Sequence, residues 1–434
     1  MPQFTFIHAA DLHLGAPFRG LDVAASEAFP LADAGFRALE RLEAACLEHG
    51  AAFLVLAGDI YDDKDGVLRA RFALRDMFLR LEKAGVRVFI AHGNHDPLPS
   101  GPLPVAWPDN VTVFGADPGC VCVERNGEPL ALVHGLSHTG PRETANLAKR
   151  LAPYGPGVTG EAFFSLPGGI PADIFQVAVL HCAVGGAGEG HAPYAPCTLG
   201  ELTRAGFHYW ALGHVHQGKV LGETPYVVYP GSIQGLHVNE TGEHGCCVVR
   251  VDGESASVTH LPLAPVTWHK VHLDLGNIET VDALEDAALE ALEGDGKAEG
   301  AASALFCRLI LEGRTGLDAV LRRPGSTGTL LERLRKELAP RAVWLKDIQV
   351  ATAPARDEAA LGERGDLVGE VARLAVSVGN DAALAADLAD RALSALYGHQ
   401  KLKKVLGGEK AAHDAATELA ASAASLLTSL LEEE

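Results

Sequence analysis

No Cys-x-x-Cys pair occurs among the eight cysteines of this 434-residue chain, and two of them, Cys246 and Cys247, are adjacent, which hinders a bridge between them. A disulfide framework is thereby disfavoured, and the cysteines read as small buried hydrophobes in a reducing compartment. No uninterrupted apolar run reaches the length of a membrane span, and the opening Met1-Pro2-Gln3-Phe4 carries no basic leader. The expected setting is cytoplasmic, without a membrane. Basic residues are also scarce: 36 Lys and Arg stand against 56 Asp and Glu, a net charge of −20. Taken alone, this opposes a nucleic-acid partner, because phosphate affinity normally comes from Lys and Arg. Bound divalent cations would offset part of that charge locally. The charge is also uneven, with nine basic and five acidic residues over 301–350 but two and eleven over 251–300.

Apolar material is ample. Hydrophobic residues make up 47% of the chain and charged ones 21%, enough for a sizeable interior. The length exceeds one compact core, so two or three domains are expected. Over 1–264, short apolar runs alternate with helical patterns. Strands are expected at 4–10, 52–57, 86–91, 129–134, 175–181, 208–212, 226–229, 245–251 and 256–263. Helices are expected at 33–49, through Phe36, Leu39, Leu42 and Cys46, and at 67–84, through Leu68, Phe72, Leu74, Phe78 and Leu81. This is an α/β pattern. Residues 265–352 read as a small β-α-β-α-β unit, 353–356 as a linker, and 353–434 as a helical region with segments near 366–378, 381–397 and 410–431.

Five signatures follow expected strands: Asp11-Leu12-His13, Gly58-Asp59-Ile60-Tyr61-Asp62, Gly93-Asn94-His95-Asp96, His181, and Gly213-His214-Val215-His216. Alternate residues of an extended segment point the same way, so Asp11 and His13 can reach one ion. Groups gathered at strand carboxyl ends are what an open α/β sheet offers a ligand. Asp, Asn and His donors without thiolate suit Mn²⁺, Fe²⁺ or Zn²⁺. The donors outnumber one ion's needs, and Asp59 is the natural bridge between two.

This series resembles the signature of the calcineurin-like metallophosphoesterases, spread over about residues 5–235. The resemblance implies a four-layer α/β sandwich of two mixed sheets flanked by helices, followed by a small α+β capping domain. It also implies one divalent ion on Asp11, His13, Asp59 and His216, a second on Asp59, Asn94, His181 and His214, and a catalytic role for His95. Asp62 and Asp96 could orient neighbouring groups or simply be solvated or turn-capping. The strings Ile7-His8-Ala9-Ala10-Asp11-Leu12-His13, His191-Ala192-Pro193-Tyr194 and Tyr229-Pro230-Gly231-Ser232 resemble the DNA-repair exonuclease branch with SbcD/YhaO-type subunits. Gly231 and Ser232 could offer backbone donors to a phosphate, or form an ordinary hairpin turn. The branch implies Mn²⁺, DNA, and an SbcC-type coiled-coil ATPase docking on the C-terminal helices; those helices could equally close on their own domain. A homodimer is a further expectation. The loop 236–244 lacks the Arg and Lys that the branch implies. His134, His138 and Asn146 read as a surface loop. Three functions are weighed: a DNA exo/endonuclease, a phosphoesterase for nucleotides or cyclic diesters, and a scaffold without turnover.

Overall fold

The computed structural model describes residues 3–21, 25, 29, 31–62, 67–99, 105–154, 170–185, 194–294, 304–355, 361–381, 383–388 and 391. The chain begins β1 (Gln3–Ala9), α1 (Ala34–Glu48), β2 (Phe53–Ala57), α2 (Val67–Lys83), β3 (Arg87–Ala91), β4 (Val111–Val113), β5 (Gly119–Arg125) and β6 (Glu128–Gly135). It continues through β7 (Phe175–His181), α3 (Leu199–Arg204), β8 (Tyr209–Gly213), β9 (Lys219–Glu223), β10 (Tyr226–Tyr229), β11 (Gly245–Asp252) and β12 (Ser255–Pro262). Then come β13 (Val266–Asp274), α4 (Val281–Gly294), β14 (Ala304–Thr315), α5 (Asp318–Leu321), α6 (Ser326–Leu338), β15 (Val343–Pro354) and α7 (Leu367–Asn380).

Two six-stranded mixed sheets form the first part. One has the order β12-β11-β1-β2-β3-β4, the other β5-β6-β7-β8-β10-β9. In the first, β1, β2, β3 and β4 run parallel while β11 pairs antiparallel with β1. In the second, β6, β7, β8 and β10 run parallel. Period-2 alternation divides each central strand between two cores. In β2, Phe53, Val55 and Ala57 face the other sheet, meeting Val177, Val179 and Tyr209. Leu54 and Leu56 face outward onto Leu39 and Leu42 of α1 and Leu74 and Phe78 of α2. The far side of the second sheet packs Leu180, Trp210 and Leu212 against Leu202 of α3. The result is the four-layer α/β sandwich. Strands β2, β7 and β8, buried along their whole length, are the continuous apolar runs of the sequence.

Strands β4, β5 and β9 escaped the sequence reading, and all three are sheet edges. Their residues are mostly half-buried or exposed, so none carries an unbroken apolar run. The α2 stripe is narrower than expected, because Leu68 and Phe72 are 53% and 41% exposed while Ala70, Leu74, Met77, Phe78 and Leu81 fill the core. Residues 353 and 354 close β15 and are not linker.

The chain divides into two compact units: Met1–His269 with Gly296–Cys307 and Ala342–Lys346, and Lys270–Asp295 with Arg308–Arg341 and Asp347–Glu434. A third sheet has the order β13-β14-β15. Within the second unit, Leu284, Ala288 and Leu292 of α4 and Leu330, Leu334 and Leu338 of α6 are buried at helical spacing. Helix α7 starts one residue later than expected and is capped by Asp366, whose side chain accepts from Gly369 N at 3.0 Å. Most of the segment expected at 381–397, and all of 410–431, lies outside the described residues. Among the described residues, no helix is long and apolar enough to cross a membrane.

Candidate metal centre

The carboxyl ends of β1, β2 and β3 from one sheet meet those of β7 and β8 from the other. Two glycines allow the approach. A Cβ on Gly213 would stand 1.9 Å from Ala57 O, and one on Gly58, which has φ +88°, would stand 2.5 Å from His181 Nδ1. Four site residues adopt the left-handed backbone that non-glycine residues rarely visit: Asp11 (φ 51°), His13 (φ 41°), Asp59 (φ 50°) and His214 (φ 110°). Such conformations cost about 1–3 kcal/mol each and persist only where surrounding structure enforces them. Here the enforcing bonds are Asp11 N to Gly58 O and His13 N to Asp59 O, each 3.0 Å, with His214 N donating to the Asp11 carboxylate, also at 3.0 Å.

The structure brings the sequence-nominated donors into one cluster. Ligand atoms of Asp11, His13 and His216 lie within 4.8 Å of one another, as do those of Asp11, Asp59 and His181. Asp59 Oδ2 stands 3.9 Å from His13 Nε2 and 3.4 Å from His181 Nε2, between the two rings. Asn94 Oδ1 is 3.1 Å from His181 Nε2. The His214 ring packs edge-on against His181, with centroids 5.3 Å apart.

The ring nitrogens show why a cation fits. His181 Nδ1 donates to Ala57 O at 2.9 Å, so in the neutral ring Nε2 turns a lone pair toward Asn94 Oδ1, itself an acceptor. His216 Nδ1 donates to Glu240 Oε1 at 2.9 Å, so its Nε2 also carries a lone pair. That lone pair faces His13 Nε2 at 3.2 Å, and the other nitrogen of His13 is turned to Asp62. Acceptors facing acceptors call for positive charge between them. The same demand appears in the protonation behaviour. Burial opposes a charged His181, yet the Asp59 and Asp11 carboxylates and the bond to Ala57 O raise it to about 9. Burial would raise Asp59, but His181 and His13 hold it below the usual carboxylate range. A divalent ion answers this demand through N and O donors alone.

Glu240 is the residue the sequence reading missed as a site participant. Its other oxygen accepts from Leu236 N at 2.6 Å, and its backbone O pairs with His244 Nε2 at 3.1 Å, so it anchors the 236–244 loop while fixing the His216 tautomer. Carboxylate–histidine pairs of this kind orient metal-ligating rings. In the sequence Glu240 is only an acidic residue of the loop 236–244 that lacks Arg and Lys, with nothing local to announce its role.

Asp96 accepts from Asp59 N, Ile60 N and Gly93 N at 2.9–3.1 Å and pairs with His92 Nδ1 at 3.2 Å. It pins the two loops that carry Asp59 and Asn94. Asp62 pairs with His95 Nδ1 at 2.6 Å. That bond is the main cause raising His95 above its ordinary value, and the bonds to His13 and His95 hold Asp62 well below its own. The His95 ring is 42% exposed, toward the cavity. Ser232 does not serve as expected. It is buried, its N–H donates to His216 O at 2.9 Å, and its Oγ pairs with His244 Nδ1 at 2.8 Å. With buried Gly231 (φ 82°) it braces the His216 segment and leaves that N–H unavailable to a phosphate. The surface-loop reading of 134–146 also needs correction. His134 is buried in β6 against Gln176, and His138 is buried with Nε2 donating to His181 O at 2.7 Å. Asn146 caps a short helical turn by accepting from Lys149 N at 3.3 Å.

A cavity of about 320 Å³ opens over these groups, lined by His13, Asp59, His95, His214, His216 and Glu240 among others. It adjoins a larger one of about 690 Å³ that shares Arg19, Asp62, Asn94, His95 and Tyr194.

A paired-sheet sandwich with such a donor cluster at its strand ends defines a metal-dependent phosphoester hydrolase, and the chain belongs to the calcineurin-like phosphoesterases: residues 4–218 match that family, and 268–353 match the middle domain of the metallophosphoesterase YhaO. The chain is 32% identical over 350 residues to an uncharacterized metallophosphoesterase YhaO of Bacillus subtilis, spanning 79% of this chain and 81% of that one. It is 23% identical over 283 residues to the DNA double-strand break repair protein Mre11 of Aeropyrum pernix, spanning 62% and 64% respectively. Members of the family bind divalent metals.

Proposed function

We propose that the chain is a two-metal phosphodiesterase that cleaves DNA, with Mn²⁺ as the working ion and Fe²⁺ or Zn²⁺ as alternatives. The observation that carries the reading is the set of opposed acceptors at His13, His216, His181 and Asn94, open to a cavity into which the Asp62-paired His95 projects. Asp11, His13, Asp59 and His216 would hold one ion, and Asp59, Asn94, His181 and His214 the other. Such ions supply charge neutralisation for the phosphate and acidify the attacking water. Asp62 keeps His95 protonated above the usual imidazole range, so its ring can deliver a proton to the leaving oxygen near neutral pH. The backbone bonds of Asp96 keep Asp59 and Asn94 in register.

Similarity to a DNA double-strand break repair protein supports a nucleic-acid substrate. The exposed Leu367 and Leu374 of α7 support a helical partner there, which the proposal takes to be a coiled-coil ATPase in the cytoplasm. The net charge of −20 favours a second reading, a small phosphodiester. Incubation with Mn²⁺ and either labelled linear DNA or bis-p-nitrophenyl phosphate separates them. Cleavage of both is expected. Hydrolysis of the small ester with intact DNA, whether or not an ATPase partner is present, would eliminate the nuclease reading.

A further inference from the structure

The larger cavity carries information about substrate that the metal donors do not. We infer that Arg19 and Arg142 form a clamp for a second phosphate, so that the substrate is a diester bearing another phosphate beside the one cut. The inference rests on the phosphodiesterase reading of the same site. Arg19 lines both cavities, and Arg142 lines the outer one. Neither guanidinium has a carboxylate within salt-bridge distance among the described residues, in a chain where acids outnumber bases by 56 to 36. Most other arginines of this unit's helices are engaged, as Arg69 is by Asp33 and Arg80 by Glu43. The one carboxylate lining the outer cavity, Asp62, is already taken by His95 and His13. Among the described residues, the mouth therefore presents two guanidinium groups with no carboxylate paired to either.

The placement also answers a deficiency noted in the sequence. Loop 236–244 has no Arg or Lys, but Arg19 N donates to Leu236 O at 2.8 Å, which brings a guanidinium from the 15–20 loop to that edge of the site. On the outer cavity's lining, Pro97 and Pro141 stand with Arg142, and Pro17 with Arg19. Proline fixes its own φ, which restricts the backbone beside each of these exposed arginines. Guanidinium forks match phosphate oxygens bidentately and read no base, which suits a repeating diester backbone. The shared chemistry is two phosphates joined through a sugar, found in an open oligonucleotide and in a cyclic dinucleotide.

The test has a binding arm and a turnover arm, both on the full chain in Mn²⁺ buffer. Calorimetry compares thymidine 3′,5′-bisphosphate with thymidine 5′-monophosphate. The bisphosphate should bind at least about tenfold more tightly, as one added charge-assisted contact allows. In an Arg19→Ala/Arg142→Ala protein the ratio should fall toward one, with Arg19→Lys/Arg142→Lys in between. A wild-type ratio near one, or an unchanged ratio in the double alanine protein, overturns the clamp. The turnover arm compares the p-nitrophenyl esters of the same two nucleotides, and the preference for the bisphosphate should appear in KM and not in kcat. If neither ester is hydrolysed, the phosphodiesterase reading fails while the calorimetric ratio still judges the clamp. Displacement of the bisphosphate by a single-stranded tetranucleotide supports an open strand, and displacement by a cyclic dinucleotide supports a ring. Displacement by neither overturns the assigned substrate class.

Discussion

Two sets of buried histidines lie only a few residues apart, at the rim of the sheets and in the layer beneath it. In the deeper layer His8 spends both nitrogens on protein, Nδ1 on Tyr209 OH at 3.0 Å and Nε2 on Leu212 O at 3.1 Å. Burial lowers it to about 3, so it is neutral in the fold. At the rim His181 is just as buried, yet one nitrogen is committed to Ala57 O and the other faces acceptors. Burial therefore does not separate a structural histidine from a candidate ligand. The partner of the second nitrogen does.

The largest effect should come from removing the carboxylate shared across the rim. Asp59→Asn should lower phosphodiester turnover by more than about a thousandfold, given the several kcal/mol that bound ions contribute to the transition state. Metal analysis of the same protein should show depleted binding, and full occupancy would break the contrast between rim and interior. His95→Ala should lower kcat about a hundredfold or more while metal content stays unchanged, because His95 lies among the acceptors without being assigned to either ion. Wild-type turnover in that variant would remove its proton-donor role. Glu240→Gln should weaken metal affinity by about 10–100-fold, read by calorimetry, and Glu240→Ala should do no less.

A smaller, continuous effect is expected from pH. Because His181 is raised to about 9, protons compete with the ion for its nitrogen below that value. Metal affinity should therefore climb as pH rises from about 6.5 toward 9, by at most about tenfold per unit for one displaced proton. A flat profile would argue that His181 is not a ligand. The smallest effect belongs to the deeper layer. His8→Phe should cost about 1–3 kcal/mol of stability by stranding Tyr209 OH and Leu212 O, with metal content intact. Its folded value lies below its unfolded one, so wild-type stability is complete above about 6.5 and declines as pH falls toward 3. Thermal melts of both proteins should consequently converge on acidification.

The rim was legible in the sequence because its donors follow buried strands directly. Asp59 sits two residues past β2, His181 ends β7, and His214 follows β8, so an apolar run announces each one. Glu240, Arg19 and Arg142 stand in irregular segments with no such announcement, and their roles depend on loops meeting in space. His138 was hidden for the opposite reason. Its partner, the His181 carbonyl, is 43 residues away, and nothing local distinguishes it from an exposed polar residue. Edge strands β4, β5 and β9 were lost because half-exposed strands need no continuous apolar run. In α2, exposed Leu68 and Phe72 share the spacing of the core residues, and helical period alone cannot say where the buried stripe stops.

The missing side chain at Gly213 has a consequence for how this enzyme can be altered. The gap between the two strand ends is set by backbone touching backbone, since even one methyl group would fall 1.9 Å from Ala57 O. Repacking neighbouring side chains cannot widen or narrow such a joint by small steps. The spacing of the donors on the two strand ends is therefore a property inherited from the main chain, and attempts to retune metal preference should succeed by exchanging donors, not by resizing their container.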